Sequence, residues 1–232
     1  MRFYAPLYLT IGLALAGICP SKLAAAAPKV HVISFGKWTS VQYPPESGDG
    51  KPLTIRIRAL IVDGRVKEYV IGNPHEVTER LFVVRRAFRI NDSLADETVP
   101  HWQWQRGGWV MVDRATGHIS AVNLPEYDTL YSTASWYRDY IAYCGVSDDG
   151  KKIFAIVAQL SRRKPILKKA LPTAALGENS GPDSACSAPE WQRNPVRVSF
   201  EREGNAKETY AIRGHVADVV DDGEEDETEG SR

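Results

Sequence analysis

Cysteine is scarce in this chain, three in 232 residues, and no two of them stand in a C-x-x-C spacing. That excludes a vicinal redox pair and a cysteine zinc site. A phosphate-cradling glycine loop, a G-x-S-x-G elbow and a dinucleotide fingerprint are also missing, so the common nucleotide, acyl-transfer and cofactor chemistries have no support. Net charge is absent too, with 29 basic and 29 acidic residues. The basic residues fall in short runs, Arg85-Arg86 and Arg162-Arg163-Lys164, without the clustering that marks a nucleic-acid face. Past residue 27 there is no apolar run of the ~20 residues that a membrane span requires.

What the chain does have begins at its first residues. Arg2 supplies an early positive charge, and an apolar stretch runs from Leu7 to Ile18. Pro20-Ser21-Lys22 and the small-residue tract Ala24-Ala25-Ala26-Ala27 follow. This is the order of a secretory signal, with Ala24 and Ala26 suited to the peptidase subsites and cleavage expected after Ala26. The apolar stretch is short for an uncleaved anchor. Cys19 follows the bulky Ile18, which disfavours lipidation. The expected domains are therefore a signal peptide over 1–26, a globular domain over 27–217 and an acidic, disordered tail over 218–232. A secreted or periplasmic location follows.

In an exported chain the two remaining cysteines, Cys144 and Cys186, are expected to pair. Closing a loop of that length removes chain entropy worth about 4 kcal/mol. The acid gathers at Asp218–Glu229, a solvated tail by composition, which leaves the rest mildly basic. The tail could fold back on Arg162-Arg163-Lys164 and Lys168-Lys169. Counted from Asp218, it also half-matches a calcium loop, but Val220 stands where an oxygen ligand belongs. His75-Glu76-Val77-Thr78-Glu79 misses the metalloprotease pattern because Glu79 replaces the second histidine. No metal or cofactor is expected.

Periodicity argues for strands throughout. Leu53, Ile55, Ile57 and Ala59 alternate with Thr54, Arg56 and Arg58, and Asp63-Gly64 then links two apolar runs as in a hairpin. Further strands are expected at 109–112 and 118–122, at 136–143 and 153–158, at 165–168, and at 196–200 with 209–212. The segment after Asn73-Pro74 has helix-start features, but the β-rich types around 80–90 favour a strand. Loops are expected at 43–50 and, longer, near 172–189. The fold class is all-β, a single domain of antiparallel strands and hairpins. A sandwich or barrel fits, and so does a small propeller, because the strand rhythm over 136–167 resembles propeller blades without their Trp-Asp signature.

The most unusual local feature is His101-Trp102-Gln103-Trp104-Gln105-Arg106-Gly107-Gly108-Trp109. In an extended strand Trp102 and Trp104 share one face. Such a pair commonly fills a core. If exposed, it makes a platform for a sugar ring or an apolar partner, with Trp102, Trp104 and His101 the candidate ligand-binding residues. Three functions follow in order: a non-catalytic extracytoplasmic binding or interaction domain with a protein partner, a glycan-binding module, and an exported hydrolase that assembles two or more of His101, His118, Asp113 and Asp139.

Overall fold

A computed structural model of the chain describes residues 30–43, 51–160, 162–172, 186–202 and 207–220. The expected signal peptide, most of the two loops, residues 203–206 between the expected strands at 196–200 and 209–212, and the tail past Val220 lie outside them. Among the described residues every regular element is a β-strand, and all pairings are antiparallel. The strands form three sheets.

The first sheet has seven strands: β1 (Ile33–Phe35), β2 (Thr39–Tyr43), β3 (Leu53–Val62), β4 (Arg65–Glu76), β5 (Leu81–Asn91), β6 (Trp102–Asp113) and β7 (Ile119–Ala121). β1 and β2 pair with different halves of β3, and the order then runs β3-β4-β5-β6-β7. The β3–β4 hairpin turns at Asp63-Gly64, whose φ values of 51° and 74° suit a primed turn, and glycine reaches that region without a Cβ penalty. The sheet curls around Leu60, Val70, Phe82, Val84, Val110 and Val112, with Ile33 and Phe35 entering from one margin and Ile119 from the other. Gly117, in the β6–β7 turn, permits that closure: a Cβ there would lie 2.9 Å from the His31 ring and from Val62.

The middle sheet is a four-stranded meander of β8 (Ala134–Tyr137), β9 (Tyr140–Val146), β10 (Ile153–Gln159) and β11 (Leu167–Ala170). The third repeats the plan with β12 (Glu190–Arg193), β13 (Val196–Phe200), β14 (Glu208–Arg213) and β15 (Val216–Val219). This consecutive order is that of a propeller blade, but the first sheet has a different plan.

The middle sheet is apolar on both faces, as a sheet covered on both sides must be. Ala142, Cys144, Ala155 and Val157 face Val198, Phe200, Tyr210 and Ile212 of the third sheet. Ile141, Tyr143 and Ile156 face Trp109, Leu124 and Tyr127 on the side of the first. Polar links reinforce each interface. The Arg85 guanidinium donates to the Thr129 carbonyl at 2.6 Å, and the Trp191 indole donates to that of Ser135 at 3.2 Å. The Cys144–Cys186 disulfide forms as expected, with both residues buried and Cα atoms 6.2 Å apart. It ties β9 to the residue that bridges Arg202 beside β13.

Several boundaries differ from the expected ones. The run 136–143 is a tight hairpin, because Arg138 takes φ 54° and turns the chain without glycine. β11 begins at Leu167 rather than Pro165, since proline has no N–H for the ladder. β4 continues through Asn73-Pro74 to Glu76, across a register irregularity against β5. β15 takes up Asp218 and Val219, so the strand outruns the expected start of the tail. Lys168 pairs with Glu126 and Lys169 with Glu208, which gives both lysines partners within the domain.

Candidate functional site

β5 and β6 are long, and their far ends leave the sheet. β4 pairs with β5 no further than Tyr69 against Ala87. Beyond that point Phe88–Asn91 pair only with Trp102–Gln105, as a two-stranded arm closed by residues 92–101. A bulge between Arg85 and Ala87, opposite Gly107-Gly108, sets the register at the base of the arm.

The arm places Trp102 and Trp104 on one face, as alternation requires. Core burial, the common fate of such a pair, does not occur: Trp102 is 56% exposed and Trp104 half-buried, because no third strand pairs with this end of the arm. Arg89 is the cross-strand partner of Trp104, and its guanidinium carbon lies 5.4 Å from the centroid of each ring. That spacing is within cation–π range. Tyr69 meets Trp104 edge-on at 5.1 Å. Where β4 departs from the arm, Val66, Tyr69, Phe88, Arg89, Trp102 and Trp104 line an open groove of about 370 Å³.

The other face and the tip are also apolar. Phe88 and Ile90 are 36% and 38% exposed, and Leu94 and Val99 at the tip 67% and 65%. The tip has internal order. Asn91 Oδ1 accepts from the Ser93 and His101 amides, and the Leu94 amide donates to Glu97 at 2.9 Å. Gln103 donates to Asp92 across the base of the loop.

His101 lies one residue before β6. Strand parity puts it opposite the tryptophans, and its Nδ1 sits 3.4 Å from Glu97. The structure thus brings Trp102 and Trp104 together and sets His101 apart. The residues that complete the face, Arg89 and Tyr69, come from neighbouring strands. Only the register reveals them.

The four residues considered for hydrolysis each have separate surroundings. Asp113 accepts a two-pronged bond from Arg80, at 2.8 and 2.5 Å, which holds its carboxyl well below the usual range. Asp139 accepts from Gln159 at 2.7 Å, on the turn between β8 and β9. His101 faces Glu97, and the His118 amide donates to Thr116 at the β6–β7 turn. A close histidine–carboxylate pair does exist, His31 to Asp63 at 2.9 Å, but Asp63 also accepts the Val32 amide and the two anchor β1 to the β3–β4 turn. Among the described residues no three His, Cys, Asp or Glu side chains gather as a metal site. His75 and Glu76 of the metalloprotease near-match are engaged by the Arg138 carbonyl and by Arg114.

Fold and site together define an all-β protein that presents an exposed aromatic–arginine face on a projecting arm. No protein-family model, curated protein or solved structure matches the chain.

Proposed function

We propose that the chain works outside the cytoplasm as a non-catalytic binding domain, and that a protein partner occupies the β5–β6 arm. One observation carries this reading: the arm exposes large apolar side chains on both faces and at its tip. Contiguous exposed apolar surface marks interaction sites, and tryptophan and arginine dominate the energetics of such contacts. The arm is hydrogen-bonded within itself, so a partner would meet a preformed surface and little ordering cost. The leader and the buried disulfide support an extracytoplasmic location. Among the described residues no helix is long and apolar enough to cross a membrane.

Photo-crosslinking tests the reading in the cells that make the protein. A photoreactive residue at Trp102 or Leu94 is expected to give a discrete protein adduct, and one at exposed Lys152, on the β9–β10 turn, none. Equal adducts from all three positions would refute the assignment.

A glycan ligand is the second reading, favoured by the exposure of Trp102. Arg89 lies over both indoles, so a sugar would stack on the open part of Trp102 and bond the guanidinium edge. Affinity electrophoresis against common polysaccharides tests it. Retardation that disappears in Trp102→Ala supports the reading, and unchanged mobility rejects it.

A further inference from the structure

A second concavity lies where the first sheet meets the middle one. Its volume is about 390 Å³, within the range of small-molecule sites. Met111 of β6 and Ala121 of β7 form one wall, and Ile141 of β9 and Ala158 of β10 form the other. Leu124, Asn123 and Gln159 add to the lining, and the exposed Arg162 and Arg163 stand at the mouth.

The charges at this mouth are unbalanced. Both arginines are exposed, and among the described residues neither makes an ion pair. Asp139, on the adjoining turn, is taken by Gln159, whose amide oxygen is within 3.1 Å of His215 Nδ1. The turn itself is set by the Leu160 amide donating to the Asp139 carbonyl at 3.0 Å. A cleft with a mixed apolar and polar lining, and two guanidinium groups at its rim that have no ion pair among the described residues, asks for a ligand with an anionic head and a short apolar body. Guanidinium groups pair with carboxylates through two parallel hydrogen bonds.

We propose that this cleft binds a single-chain amphiphilic carboxylate, with the chain along Met111, Ala121 and Leu124 and the head on Arg162 and Arg163. The site is separate from the arm and does not depend on the function assigned to it. Isothermal titration calorimetry with decanoate, acetate and decyl maltoside tests it on the intact protein. Decanoate is expected to bind saturably, at least tenfold more tightly than acetate, which lacks the chain, or the maltoside, which lacks the charge. Arg162→Glu with Arg163→Glu is expected to weaken decanoate at least tenfold, and Ala121→Trp, which fills the wall from an exposed position, by a similar factor. If the double reversal fails to fold, Arg162→Ala with Arg163→Ala gives the same readout. No saturable decanoate binding, equal binding of either control, or unchanged affinity in a folded variant would overturn the proposal.

Discussion

Arg58 and Arg89 belong to one sheet and keep similar company, yet they serve different ends. Arg58 lies 4.1 Å from the centre of the Phe35 ring and 4.3 Å from that of Trp38. Its Nε is buried and has no hydrogen-bond partner among the described residues, and desolvation lowers its pKa. Arg89 lies 5.4 Å from Trp102 and from Trp104, in the open. The first cluster is covered by β1 and the chain leading to β2. The second has no cover, because β4 stops pairing at Tyr69. Identical chemistry is structural where a strand closes over it and available where none does. The same contrast holds on a larger scale between the doubly covered middle sheet and the bare arm.

That contrast breaks first, and most severely, at the disulfide. Replacing Cys144 and Cys186 by serine removes a cross-link over 42 residues and should cost about 4 kcal/mol of unfolding free energy, read by urea denaturation. The arm should keep its binding under conditions where the variant remains folded. Next, Arg58→Ala should cost about 2 kcal/mol, since two desolvated ring contacts are lost. Arg89→Ala, by contrast, should stay within about 0.5 kcal/mol of the parent, as surface substitutions do. Equal losses at the two sites would erase the distinction between a covered cluster and an open one.

A smaller effect appears with pH at the rim of the first sheet. Arg80 depresses the Asp113 pKa, so the folded value lies below the unfolded one. The pair's contribution is present above the ordinary carboxylate range and is lost as pH falls through the folded value. Asp113→Asn should flatten that acid limb of the stability profile. An identical limb in the variant would remove Arg80–Asp113 from the account.

The strands were largely legible in the sequence, because period-two alternation and Asp-Gly or Gly-containing turns mark β3, β4, β6, β7, β9 and β10 directly. The turn at Arg138-Asp139 was not, since a left-handed arginine has no compositional mark. β12 and β15 were missed for another reason: Glu190-Trp191-Gln192-Arg193 and Val216-Ala217-Asp218-Val219 are edge strands, too short and polar to show a pattern. The shared face of Trp102 and Trp104 followed from parity. Their exposure did not, because it depends on where β4 leaves β5. Arg89 joined the site only through its pairing with Trp104, a long-range relation that no local pattern encodes.

The central claim is that the arm, rather than the rest of the surface, holds the partner. Its most direct test is the affinity of the protein crosslinked through position 102, once purified, for Trp102→Ala beside the parent chain. The variant should retain the parent's melting transition and disulfide while binding at least tenfold more weakly. Unchanged affinity in a fully folded variant would contradict the account.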